Sequence, residues 1–204
     1  MTDRRHKEPS LNPKQRKFAT STGVFCLVLA VSTTLTGCSQ EKRNYQLPAT
    51  FCGIHEKKSL YAPIFPPGDK LKQNSLRALK GVEESERCDY YIDGYVKITV
   101  NGDWYDKMLT PQPTLESLIA EHGNYKPKKV SGKHSAATWP YGAVSLVKCP
   151  NSEYRANLYS LTIYSDAIKD RDESHRVLGD LIQSFTSKVL KILPCEDKAT
   201  TAAH

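Results

Sequence analysis

The chain has no long apolar run. Its solid hydrophobic stretch, Val24–Val31, is far shorter than the ~20 residues of a bilayer-crossing helix, and a mean hydropathy of −0.53 excludes a polytopic membrane protein. The motifs of common hydrolytic and phosphate-binding folds are missing too. There is no Gly-x-Ser-x-Gly elbow, and Gly132-Lys133 lacks both the upstream glycine and the following Ser or Thr of a phosphate loop. No internal repeat is visible. A lasting excess of one charge is also absent. The formal +7 of the 204 residues is concentrated in Arg4, Arg5, Lys7, Lys14, Arg16 and Lys17, and residues 38–204 carry 23 basic and 20 acidic side chains, a net of +3. Nucleic acid therefore loses its main support as a partner.

What is present begins with a leader. Residues 1–17 form a basic segment, residues 18–35 an apolar one, and Leu35-Thr36-Gly37-Cys38 closes it with small residues before a cysteine. That arrangement resembles a bacterial lipobox and implies cleavage between Gly37 and Cys38, with a lipid on Cys38. Arg4-Arg5 is followed by His6-Lys7-Glu8 in place of the apolar residues of a twin-arginine signal, so ordinary export is the expectation. The resulting organisation is a signal peptide over 1–37, a lipidated cysteine and polar tether over 38–47, one domain over 48–195, and a polar tail over 196–204.

Cysteine is scarce: six in all, with Cys26 in the leader and Cys38 in the lipobox. The remaining Cys52, Cys88, Cys149 and Cys195 form an even set, which in an oxidising compartment reads as two disulfides with three possible connectivities. The favoured one joins Cys52 to Cys88 and Cys149 to Cys195, since each pair brackets a contiguous half of the domain. Each loop would contribute on the order of 3 to 4 kcal/mol through chain entropy. The rival use of Cys52-x-x-His55 as half a metal site has no second half, and no metal or cofactor is expected.

The fold class follows from pattern. Cys52 to Phe65 reads as a short amphipathic helix stopped by Pro66-Pro67-Gly68, and residues 69–87 as a polar loop in which Glu83-Glu84-Ser85-Glu86 is a solvated charged turn. Tyr90 to Val100 reads as a hairpin turning at Asp93-Gly94, with Val96, Ile98 and Val100 on one face and Asn101-Gly102-Asp103 ending the strand. Trp104, Tyr105, Met108 and Leu109 suggest a helical turn, and Thr114 caps a short helix carrying Leu115, Leu118 and Ile119. Gly142–Lys148 and Tyr154–Tyr164 read as strands. From Ser174, residues Val177, Leu178, Leu181, Ile182, Phe185 and Val189 recur at helical spacing up to Pro194. The expectation is an α+β domain: an antiparallel sheet with helices packed on one face and a C-terminal amphipathic helix.

Chemistry-bearing groups are few. Ser145-x-x-Lys148 matches the Ser-x-x-Lys pattern of penicillin-binding enzymes, but it falls on a strand, where the two side chains take opposite faces, and the companion motifs are absent. The histidines His55, His122, His134, His175 and His204 show no metal-site spacing, and no catalytic residue is assigned. Lys126, Lys128, Lys129 and Lys133, four lysines within eight positions, form a basic loop able to meet an anionic surface. The aromatic pairs Trp104-Tyr105 and Trp139/Tyr141 and the hairpin tyrosines suit either core or a groove, core being favoured.

With these motifs placed, the chain resembles the small lipobox-bearing lipoproteins of actinobacteria, families largely without assigned activities. The shared pattern is Leu35-Thr36-Gly37-Cys38, the Cys52-Gly53-Ile54 opening, Ile64 to Gly68, Cys88 leading into Tyr90–Val100 through Asp93-Gly94, and the Leu193-Pro194-Cys195 close. The resemblance spans most of residues 35–195. It implies a lipid-anchored domain with two internal disulfides at the extracytoplasmic face of the cell membrane, the first cysteine pair being the clearer shared feature. The leading expectation is a non-catalytic binding or interaction domain, attached through its N-terminal lipid and meeting a cell-envelope ligand or a protein. The alternatives are an envelope-modifying hydrolytic enzyme and an accessory subunit of a membrane complex.

Overall fold

A computed structural model describes residues 42–74, 79 and 83–196. Gly37, Cys38 and the rest of the leader, together with residues 197–204, lie outside the described residues. Among the latter the elements run α1 (Lys58–Tyr61), a 3₁₀ turn (Ala62–Ile64), β1 (Leu71–Asn74), β2 (Ser85–Ile92), β3 (Tyr95–Asp106), α2 (Leu115–Ala120), β4 (Lys128–Val130), β5 (Ala136–Trp139), β6 (Gly142–Asn151), β7 (Ala156–Ser165) and α3 (Arg171–Ile192).

The strands form one antiparallel sheet in the order β1-β2-β3-β7-β6-β5-β4, so the fold is mixed α and β. Chain-adjacent strands pair throughout, except that β7 inserts beside β3 and joins the two halves. Asp93-Gly94 makes the β2–β3 turn with both residues at positive φ, as the dipeptide predicts. Register fixes the faces: Val100 opposes Ile163, Gly102 opposes Leu161 and Ala143 opposes Ile163, and these side chains share the face under α3.

α3 starts where Asp170 accepts the Glu173 N–H at 2.8 Å, and Asp172 and Glu173 place negative charge at its N-terminus. Val177, Leu178, Leu181, Ile182, Phe185 and Val189 are buried at three-to-four-residue spacing. Phe185 meets Phe51 at 5.0 Å, and Phe51 in turn stacks between Tyr61 and Tyr90. The Tyr90 hydroxyl accepts the Cys52 N–H at 2.7 Å, and burial pushes its pKa up to about 12.

α2 lies on the opposite face. Its Leu118 and Ile119 pack with Ala137, Trp139 and Val144, a second, smaller cluster. The helices are thus divided between the two faces. A full capping box closes its start, Thr114 and Ser117 exchanging side-chain and backbone hydrogen bonds.

Several sequence expectations need correction. Residues 52–57 are a tight turn and extended chain, and the helix there is only Lys58–Tyr61 with the 3₁₀ turn. β3 runs through Asn101-Gly102-Asp103 to Asp106, so Trp104 and Tyr105 are strand residues. Gly102 is needed there because the Tyr159 side chain lies where a Cβ would stand. Residues 69–87 contain β1 and the start of β2, with Glu86 1% exposed, and the basic loop contains β4. The polar stretch read as tether is docked from Arg43 onward: the Asn44 N–H reaches Gly68 O at 2.8 Å, the Arg43 guanidinium bonds Ala62 O and Phe65 O, and the Tyr45 hydroxyl bonds Pro66 O.

Candidate functional site

Both disulfides are formed, Cys52 to Cys88 and Cys149 to Cys195, with Cα separations of 5.8 and 4.9 Å. The first ties the opening turn to β2. The second ties β6 to the residue just past α3, holding the helix over the strands it covers. Cys52 is thereby removed as a thiolate ligand beside His55.

The four lysines surround an edge and do not form one patch. β4 is the outermost strand, and Lys128 and Lys129 oppose Thr138 and Ala137 on β5, so they point to opposite faces. Lysine on an edge strand also discourages pairing with another sheet. Lys128 turns toward α3, its Nζ 3.5 Å from Asp172. With Lys129, His175, Arg176 and Asp180 it lines an open hollow of 270 Å³. On the α2 side Lys129 borders a second hollow, of 430 Å³, with Thr114, Glu116 and Leu146. Lys126 and Lys133 flank β4, and all four lysines are exposed.

Sequence reading missed two histidine–hydroxyl pairs on this seam. His175 Nδ1 lies 2.7 Å from Thr138 Oγ1, and His134 Nε2 lies 2.7 Å from Ser187 Oγ. The His134 backbone is clamped as well: Gln183 accepts its N–H at 3.0 Å and donates to its carbonyl at 2.8 Å. Burial lowers both histidine pKa values, helped by Lys133 at His134 and by Lys128 at His175. Each imidazole is therefore neutral at pH 7. Ser187 donates to Gln183 O at 2.9 Å, and Thr138 is 1% exposed. These pairs fasten the β4–β5 hairpin to α3. No sequence signal marked them, because the partners lie 37 and 53 positions apart.

Ser145 and Lys148 behave as the strand reading requires. Ser145 is 0% exposed and bonds Thr186 at 2.7 Å under α3, while Lys148 opposes Leu158 on the other face. Among the described residues no group of three or more His, Cys, Asp or Glu stands in metal-holding proximity, and no helix is long and apolar enough to cross a membrane.

The aromatics differ in exposure. Tyr90, Trp104 and Trp139 are buried, whereas Tyr95 is 72% exposed beside Val96 at the hairpin tip. No family model, curated protein or solved structure matches the chain.

Proposed function

We propose that this chain is a lipid-anchored extracytoplasmic binding domain, non-catalytic, attached to the cell membrane through Cys38 and closed by a C-terminal amphipathic helix. The observation that carries the reading is the pair of disulfides, each closing one half of the domain downstream of a lipobox cysteine. Such bonds persist outside the reducing cytosol, and the lipobox is an address for the same side of the membrane. Two acyl chains, at ~0.8 kcal/mol per buried CH₂, suffice for stable anchoring. The lysine edge is the part of the domain best suited to an anionic envelope ligand, each lysine near such a surface adding about 1 kcal/mol.

The histidine–hydroxyl pairs favour binding over hydrolysis. Among the described residues neither histidine has a carboxylate hydrogen-bonded to its second ring nitrogen, and both hydroxyls already serve backbone carbonyls. The test is fractionation of the native host expressing the wild-type chain or Cys38→Ser. The wild type is expected in the membrane fraction and the variant in the soluble exported fraction. A wild-type chain recovered from the cytosol with free thiols would overturn the reading.

A further inference from the structure

We infer that the hairpin end of the sheet is a membrane-contact surface, seated on an anionic lipid leaflet when Cys38 carries its lipid. The inference rests on the lipid-anchor reading and adds an orientation to it.

The first support is chain length. Among the described residues Arg43 is docked on the domain, and it lies five positions after Cys38, a reach of at most about 18 Å. A lipid at Cys38 holds close to the leaflet whatever part of the domain surrounds Arg43.

The second support is where the chain arrives. Arg43 bridges Gly68, and a Cβ on Gly68 would meet Ile92 and Asp93 at 2.5 and 2.7 Å, so this backbone runs against the β2–β3 turn. The Asp93 carboxylate accepts the N–H groups of Asp69 and Lys70, and Asp93 N–H reaches Lys70 O at 3.0 Å. Point of arrival and hairpin tip are one surface.

The third support is what that surface presents. Tyr95 and Val96 are 72% and 44% exposed, and Lys70 and Lys72 are exposed beside them. Lys70, Leu71, Lys72, Tyr91 and Gly94 line a hollow of 610 Å³, which gathers two lysines and an aromatic residue at one opening. The local acids are already engaged, Asp93 by backbone N–H groups and Asp69 by the Asn44 amide at 2.7 Å. Two lysines beside the half-buried Tyr91, with Tyr95 exposed at the adjoining turn, match the headgroup layer, where amphipathic rings settle and lysines meet lipid phosphates. The other exposed apolar pair, Met108 and Leu109, follows the far end of β3, about 35 Å from Tyr95 at strand rise. It points away from the leaflet in this orientation and supplies an internal control.

The experiment uses the full mature lipidated chain in vesicles of brominated phosphatidylglycerol, with Tyr95→Trp and Met108→Trp as separate reporters. Native Trp104 and Trp139 are buried and give a common background. Intact mass first verifies the diacylglyceryl group. Tyr95→Trp emission is expected to fall at least twofold relative to unbrominated vesicles, with Met108→Trp unchanged, and Lys70→Glu with Lys72→Glu should abolish most of that fall. A lipidated protein whose two reporters respond alike, or whose Tyr95→Trp response is undiminished by the lysine changes, overturns the orientation and leaves the anchor standing. A mass without lipid removes the anchor and the orientation together.

Discussion

Lys188 Nζ lies 2.7 Å from Glu56 Oε1, joining α3 to the segment after the first disulfide across 132 positions of sequence. The Glu56 side chain is 0% exposed in this pair, and its oxygens also accept the Lys57 N–H at 2.6 Å and the Ser184 hydroxyl at 2.9 Å. Lys188→Met would strand this carboxylate, and we expect a loss of about 3–5 kcal/mol in urea unfolding. Glu56→Gln keeps one oxygen to accept from Lys188 and Lys57 while its amide nitrogen faces the Ser184 hydroxyl as a donor, so its cost should be smaller, about 1–2 kcal/mol. Equal costs for the two variants would show that the charge pair is not what holds this seam.

Gly102 and Tyr159 give a second stability test. The tyrosine hydroxyl sits where a Gly102 Cβ would go, and it is buried with no hydrogen-bond partner among the described residues. Gly102→Ala should cost about 1–3 kcal/mol by overpacking. Tyr159→Phe alone should be neutral or stabilising, since the hydroxyl has only a desolvation cost to lose. The double variant should recover part of the loss, and only part, because ring Cζ remains 2.8 Å from the new methyl. Additivity of the two changes by thermal unfolding would refute the contact.

The histidine pairs predict the direction of pH dependence. Burial lowers the folded pKa of His134 and His175 below the ordinary 6.5, so the unfolded chain takes up protons first as pH falls. Their contribution to stability is intact above pH 6.5 and lost progressively below it. Unfolding free energies from pH 8 to pH 5 should therefore decline, and replacing both histidines by Gln should flatten that part of the profile. An unchanged slope would place the acid sensitivity elsewhere.

The second disulfide should matter chiefly at the helix end. Cys149→Ser with Cys195→Ser opens a loop closed across 46 positions, and a loss of about 4 kcal/mol is expected by denaturant unfolding. Hydrogen exchange should rise first at Val189–Ile192, the last turn of α3, just before Pro194, whose carbonyl accepts from Asn151 at 3.1 Å. Uniform exchange along α3 would contradict a local clasp.

The sequence was legible where turn chemistry and periodicity agree. Asp93-Gly94 between β-rich runs gave the β2–β3 hairpin, Thr114 gave α2, and the apolar spacing from Val177 gave α3. α3 starts three residues ahead of the Ser174 that the apolar spacing marks, because the polar Asp170 and Arg171–Glu173 supply its cap and first turn. β5 escaped notice because all four of its residues, Ala136–Trp139, are buried, and a strand covered on both faces loses its alternation. β1 and β4 are polar edge strands, whose composition is that of loops. Among the candidate site residues, the cysteine pairing was readable from bracketing alone. Docking of Arg43 and Tyr45 was not, because it depends on carbonyls of Ala62, Phe65 and Pro66 that no pattern announces.

The central claim is that Cys38 is a lipidated N-terminus on a two-disulfide domain. Intact mass of the protein extracted from its native membranes, before and after reduction and alkylation, tests both parts in one measurement. The expected result is the mass of residues 38–204 plus a diacylglyceryl group, with four thiols appearing only on reduction. An unprocessed chain with six free thiols would contradict it.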